Sequence, residues 1–289
     1  MWTENIELPF RYDFSFVLDR MGEDPLIRLD KQEQWVDVPL VLHGNEREVA
    51  RVQSTGTRDA PEFRVTGERD RDTVVNRLYE IFQWDVDLEK VDAHFLGTSL
   101  ADLQKKFPAT PVVRSFHMYD ALMRVIIHQQ LNKTFAYRLS TRFVENFGEK
   151  EKGVWFYPSP EKVASLAYDD LRELQFSQRK AEYVIDTSGK IAREELELND
   201  FEQIGAEDTI TQLTKVRGIG KWTAQNWQMR ALGRADLFPE ADVGIQNAWK
   251  LYFGKESKPS QEEMLRVSRE WAPYRSYASL LLWRSLMEQ

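Results

Sequence analysis

The chain has 289 residues, 42% of them hydrophobic and 30% charged, the balance of a folded protein with a sizeable core. It holds no cysteine, which excludes disulfides, thiolate zinc sites, iron–sulfur clusters and cysteine nucleophiles together. The formal net charge of −8 counts against a polyanionic partner, and no window approaches the ~18 consecutive apolar residues of a membrane span.

The charge is unevenly placed. Residues 1–100 carry 12 Lys+Arg against 21 Asp+Glu, whereas the other 189 carry 27 against 26. Within the second part, Leu213 to Arg234 contains Lys215, Arg217, Lys221, Arg230 and Arg234 and no acid. Screening limits each charge to about 10 Å in ordinary salt, so this strip weighs more than the total. The opening residues, Met1-Trp2-Thr3-Glu4-Asn5, contain an early acid and no apolar h-region, and with the absence of cysteine they predict a cytoplasmic protein.

In chain order, the first 70 residues read as strands. Phe14–Leu18, Trp35–Val38 and Phe63–Val65 are rich in β-formers, with turn clusters at Gly22–Pro25, His43–Asn45 and Gly56–Thr57. Asp72–Phe82 then spaces Val74, Val75, Leu78, Tyr79 and Phe82 as the apolar face of a helix. From about residue 100 the period is helical almost throughout. Helices are predicted over Tyr119–Leu131, Lys133–Phe147, Pro160–Leu166, Asp169–Leu174, Ser177–Arg193, Ala206–Lys215, Lys221–Leu232, Val243–Phe253, Ser260–Trp271 and Tyr274–Met287. No internal repeat is visible. The fold class is therefore α+β: a small N-terminal domain of antiparallel sheet and helix over 1–98, and a larger all-helical body over 99–289.

Two stretches carry candidate chemistry. In Leu213–Ala224 a helical pattern stops, Gly218 and Gly220 bracket Ile219, and a second helix begins at once. Glycines permit a tight turn and close backbone approach, and free N–H groups beside Lys215, Arg217 and Lys221 suit a phosphate. The same pattern also describes an ordinary helical hairpin with a glycine C-cap. In Leu237–Ile245, Asp242 stands where a Pro-containing loop meets a new helix. It reads as an N-cap, as a catalytic carboxylate held by backbone N–H groups, or as both. The histidines, His43, His94, His117 and His128, show no ligand spacing and read as structural or surface residues, so no metal site of side chains is expected.

The run Val216–Ala224, followed by Asp242 eighteen residues later, resembles the helix–hairpin–helix (HhH-GPD) DNA glycosylase superfamily, and within it the AlkA-type DNA-3-methyladenine glycosylase II. Supporting stretches fall in the same order. Tyr12–Phe16 is similar to the family's N-terminal strand, and Gln130-Leu131 to its DNA-wedge loop. Arg179–Glu182 and Trp271–Ala278 complete the series. The resemblance implies a mixed N-terminal domain beside two helical subdomains, with the helix–hairpin–helix at 207–233 and the cleft between the helical parts. It implies a monofunctional DNA glycosylase of base excision repair that flips alkylated purines (3-methyladenine, 7-methylpurines) out of duplex DNA.

Under that resemblance Asp242 is the catalytic residue. A carboxylate stabilises the positive charge that builds on the deoxyribose as the base departs, and a base already cationic needs no second acid. Trp222 takes the place of the lysine nucleophile of bifunctional relatives. Lys221, one residue earlier, faces about 100° away on a helix, so no AP-lyase activity is expected. Trp222 and Trp283 wall the base pocket, where an indole face attracts a cationic purine by about 0.5–2 kcal/mol. Asn226 and Arg20 replace aromatic residues of the family pattern, which bears on the lesion range. Leu131 or Gln130 fills the hole left by the flipped nucleotide.

Gly218, Gly220, Lys221, Arg217 and Thr223 are implied to bind DNA phosphate. The carbonyls of Thr214, Val216 and Gly218 are the implied seat of a structural Na+ or K+, with no other cofactor. The expected partner is double-stranded DNA with alkylated bases, touching the helical body of a monomer and not the acidic sheet. A glycosylase for oxidised or deaminated bases, or a non-catalytic module binding damaged DNA, remain the alternatives.

Overall fold

The computed structural model describes residues 1–42, 44 and 46–287. The expectations placed on His43, and the turn His43–Asn45 in part, lie outside the described residues. Five strands form an antiparallel sheet in the order β1-β5-β4-β3-β2. They are β1 (Trp2–Glu7), β2 (Leu29–Asp30), β3 (Trp35–Val41), β4 (Arg47–Ser54) and β5 (Glu62–Gly67). The registers Val38↔Ala50, Val36↔Val52, Val52↔Val65 and Ile6↔Phe63 place these side chains on one buried face.

Phe14–Leu18, expected as a strand, is instead the start of helix α1 (Phe14–Met21). The same correction applies to Tyr12–Phe16. The Asp13 carboxylate accepts the Phe16 N–H at 3.0 Å, an N-cap that a strand has no use for. Its other oxygen accepts from Arg284 at 2.7 Å, 271 residues away, so this helix start is anchored by a contact that no local pattern contains. Phe14, Phe16, Val17 and Leu18 are all buried.

The helices that follow include α2 (Arg71–Phe82), α3 (Leu88–Phe95), α4 (Ala101–Lys106), α5 (Met118–His128) and α6 (Lys133–Phe147). A small hairpin, β6 (Glu149–Glu151) and β7 (Val154–Phe156), was not evident from sequence. Its turn places Lys152 and Gly153 at φ +50° and +83°, the pairing that a tight hairpin requires. Then come α7 (Pro160–Ala164), α8 (Tyr168–Glu173), α9 (Gln178–Ala192), α10 (Ala206–Leu213) and α11 (Lys221–Trp227). The expected single helix Lys221–Leu232 changes to a π turn at Gln228–Leu232. The chain ends with α12 (Val243–Tyr252), α13 (Gln261–Val267) and α14 (Arg275–Ser285).

The apolar interior does not follow the order of the chain. One core joins Val36, Val52, Phe63, Leu78 and Trp84 to Phe238, Trp249, Trp271 and Leu281, so the last three helices fold back onto the sheet. The other core joins α5, α6 and α9 to the hairpin through Ile126, Phe143, Val184, Ile219 and Trp227. A cleft of about 520 Å³ has α1 and α14 among its walls (Phe16, Arg20, Leu280, Trp283), together with α5, α6 and their connection (Arg124, His128, Leu131, Tyr137).

Candidate active site

Asp242 is the N-cap of α12, and its Oδ1 accepts the Ile245 N–H at 2.9 Å. Two indoles converge on the same carboxylate. Trp222 Nε1 donates to Oδ2 at 2.9 Å, and Trp283 Nε1 donates to Oδ1 at 3.0 Å. A carboxylate offers about four lone-pair sites. Three are filled by neutral N–H donors, and one on Oδ2 remains for a water or a developing cation. Gly244 makes this approach possible: a Cβ there would stand 3.0 Å from Asp242 Oδ1 and 3.1 Å from Trp283 Nε1. The two tryptophans are thus the carboxylate's orienting donors, and Trp283 also lines the 520 Å³ cleft.

Asn226 is buried one helical turn past Trp222, and its Nδ2 donates back to the Trp222 carbonyl at 3.0 Å. It borders a small recess shared with Arg20, Arg230 and Trp283. Trp222, Asn226 and Arg230 therefore follow one another along one helix face at i, i+4 and i+8.

The hairpin turn owes its shape to Gly218. Its φ is +92°, and the Tyr183 ring lies 2.3 Å from where a Cβ would sit, so both backbone and space require glycine. Ile219 is buried as its anchor. Gly220 has open space around its missing side chain. The N–H groups of Gly218, Gly220 and Lys221 meet no acceptor among the described residues. Two of the three cations around this turn are engaged, and Lys215 is exposed. Lys221 pairs with the buried Glu240, and Arg217 pairs with Glu182 and Asp186. The Thr223 hydroxyl is buried and accepts from Gln129 Nε2 at 2.8 Å, which leaves it facing inward. Of the three carbonyls singled out for a cation, Val216 O accepts the Ile219 N–H and Gly218 O accepts Gln129 Nε2, while Thr214 O has no donor among the described residues.

The connection between α5 and α6 is tied to this hairpin. Gln129 Nε2 bridges Gly218 O and Thr223 Oγ1, and Lys180 Nζ donates to the carbonyls of Ile127 and Gln129. Burial lowers the Lys180 ammonium to about 8. Between these anchors Gln130 takes φ +56° and projects into solvent, while Leu131 packs partly on the second core and borders the cleft. Elsewhere, His94 bonds the Glu270 carbonyl, and His128 bonds Ser140 inside the cleft wall. His117 is pushed down to about 4, chiefly by burial. Among the described residues no three His, Asp or Glu side chains gather as metal ligands.

Residues 123–274, from α5 through the hairpin to α14, match the family model of HhH-GPD superfamily base excision DNA repair proteins. The chain belongs to this superfamily. A putative DNA-3-methyladenine glycosylase of Bacillus subtilis is 47% identical to it over 286 residues, covering 99% of this chain and 100% of that protein. A second Bacillus subtilis protein, a DNA-3-methyladenine glycosylase, is 33% identical over 225 residues, or 75% and 73% of the two chains. Among solved structures, a 3-methyladenine DNA-glycosylase from Archaeoglobus fulgidus shares the fold with a TM-score of 0.82 over 100% of this chain and 99% of its own, at 22% identity.

Several residues of this HhH-GPD site escaped sequence reasoning. Glu240, which accepts from both Lys221 and Gln225, carries no local signal, because a buried acid two residues before an N-cap looks like loop polarity. Gln129 and Lys180 are ordinary helix-end residues until the fold brings Gly218 against Gln129 and the Gln129 carbonyl against Lys180. Arg230 was visible only as one cation of a strip.

Proposed function

We propose that this chain is a monofunctional DNA-3-methyladenine glycosylase of the type II kind, acting on alkylated purines in double-stranded DNA. The observation that carries the reading is the Asp242 carboxylate, gripped by two indole N–H groups and one backbone N–H with one lone pair left over. Such a group is built to face positive charge. As the C1′–N bond of a methylpurine lengthens, charge passes from the base to the sugar, and Asp242 stabilises it and orients the attacking water. No lysine competes for that position, because Lys221 is turned to Glu240; this supports hydrolysis without a Schiff base and without strand cleavage.

In this reading Trp283 and Asn226 border the extruded base, and Trp222 acts on it through Asp242. Gln130, at the solvent-facing tip, and Leu131, at the cleft, fill the gap in the duplex at a cost of a few kcal/mol for unstacking, part of which the apolar side chain offsets. The unpartnered N–H groups of Gly218, Gly220 and Lys221 take a phosphate, with Arg217 and Thr223 shaping the turn around them. A Na+ or K+ ion, if bound, rests on the Thr214, Val216 and Gly218 carbonyls. The enzyme works as a cytoplasmic monomer.

The test is release of free bases from dimethyl-sulfate-treated duplex DNA, resolved by chromatography, with strands checked for nicks without added alkali. Wild type should free methylpurines and leave strands intact, and Asp242→Asn should be at least about 100-fold slower while still binding DNA. Equal rates for the two proteins, or nicked strands, would overturn the reading.

A further inference from the structure

Helix α5 stops at His128, so its last carbonyls have no N–H of a further turn to meet. Among the described residues no backbone N–H reaches the carbonyls of Ile127 and Gln129. Both accept instead from the ammonium of Lys180, at 2.5 and 2.8 Å. This half-buried cation comes from α9, 51 residues beyond Gln129. Among the described residues it has no acid as a partner, and the titratable group it faces is His128, which burial and the charges of Arg124, Arg230 and Lys180 keep neutral. A lysine that pairs with no acid and caps the negative end of a helix works as a clamp on that end.

The residues after the clamp are the strained part of the connection. Gln130 takes φ +56°, left-handed backbone that persists away from glycine only where the surroundings fix it. On the far side the fixing group is Asn132, the N-cap of α6, whose side chain accepts the Phe135 N–H at 2.9 Å. On the near side it is Lys180, with the Gln129 side chain bonded to Gly218 O and Thr223 Oγ1. Between these anchors stand Gln130, facing solvent, and Leu131, at the cleft.

Lys180 also shares a helix face with the residue that shapes the hairpin. Tyr183, three positions along α9, lays its ring against Gly218, and Glu182 pairs with Arg217. The first turns of α9 therefore brace two loops at once: the hairpin whose N–H groups suit a phosphate, and the connection that would enter the duplex. A side chain pushed into stacked bases is pushed back, and a loop free to recoil would return the extruded base to its stack.

We propose that Lys180 is a positioning residue for base extrusion, holding Gln130 and Leu131 rigid against the duplex at a fixed distance from the phosphate grip of the hairpin, and touching neither base nor sugar itself. The proposal rests on the glycosylase reading above.

The test uses the full chain under single-turnover conditions, on a duplex with one 7-methylguanine and a 2-aminopurine beside it, whose fluorescence rises as its neighbour leaves the stack. Lys180→Met should slow both the fluorescence rise and the release of 7-methylguanine at least about tenfold, while affinity for an undamaged duplex stays within about twofold. Lys180→Arg, which keeps the charge and the donors, should recover most of both rates. Placing the 7-methylguanine opposite a tetrahydrofuran abasic analogue removes its pairing and makes extrusion easier, so the deficit of Lys180→Met should shrink there to about threefold or less. Thermal melts establish that each variant is folded, and Lys180→Gln, which shortens the reach and keeps a polar end, replaces Lys180→Met if that variant does not fold.

Unchanged rates would overturn the proposal, as would a deficit of the same size on paired and unpaired targets. Affinity for undamaged DNA falling in step with the rates would overturn it too, because Lys180 would then serve the fold or the DNA backbone and not extrusion. In each of these outcomes wild type still frees 7-methylguanine and the glycosylase reading stands. Wild type that frees none from either duplex would remove both.

Discussion

Around the hairpin, Arg217 reaches Glu182 and Asp186, and Lys221 reaches Glu240; in the cleft, neither Arg20 nor Arg230 has a salt-bridge partner among the described residues. The strip from Leu213 to Arg234 has no acid of its own, so along the chain it reads as an exposed basic patch. In space Arg217 and Lys221 meet acids from α9 and from the loop before α12, Arg234 donates to the Phe201 and Ile204 carbonyls, and Arg230 has no salt-bridge partner among the described residues. Positive charge is spent on local structure where the sequence suggests a phosphate surface, and kept in reserve where the sequence suggests an aromatic box. The hairpin is then left with its backbone N–H groups and the exposed Lys215 as the features that can meet an anion.

That contrast can be broken from the hairpin side. The largest effect belongs to Gly218→Ala, which forces a side chain into left-handed backbone and onto the Tyr183 ring. Strain and overpacking together should lower stability by about 2–4 kcal/mol, read by denaturant unfolding. An unchanged midpoint would show that the turn relaxes freely.

Next is Lys221→Met. Burial acts to raise the Glu240 carboxyl, but the hydrogen bonds from Lys221 and Gln225 outweigh it, and its net position is below the ordinary value near 4.5. A depressed carboxyl stabilises the fold above its unfolded pKa, and that contribution fades as pH falls through the folded value. Wild type should therefore lose this contribution below about pH 4.5, whereas the variant should already lack about 1 kcal/mol at pH 7, a figure kept small because Lys221 is half exposed, and should show a flatter acid limb. Parallel acid limbs would mean that the pair is incidental.

The smallest effect on stability is expected for Gly220→Ala, whose added methyl meets nothing within 4 Å. Unfolding should shift by less than about 0.5 kcal/mol, while affinity for duplex DNA falls severalfold if backbone phosphate packs there. Unchanged affinity would move the phosphate contact elsewhere.

Much of this was legible in the chain. The period-2 strands at Trp35–Val38 and Phe63–Val65, the helix Lys133–Phe147 and the hairpin with its two glycines are set by residues within a few positions of one another. Asp242 was legible as well, because an acid between a Pro-containing loop and a helix has few local roles. Phe14–Leu18 was misread because three alternating apolar residues suit either period, and the deciding contact, Arg284 on Asp13, comes from the far end of the chain.

The sequence by itself determined the fold class, the hairpin and the acid that caps the helix after it, since backbone propensity, capping and apolar spacing act over single turns. The tertiary structure decided how that acid is held and which charges are paired. Trp222 and Trp283 lie twenty and forty-one residues from Asp242, and the partners of Lys221, Arg217 and Arg124 are as distant. Hydrogen bonds and ion pairs act over a few ångströms of space whatever the separation along the chain, so only the packed molecule could say that two indoles hold the carboxylate.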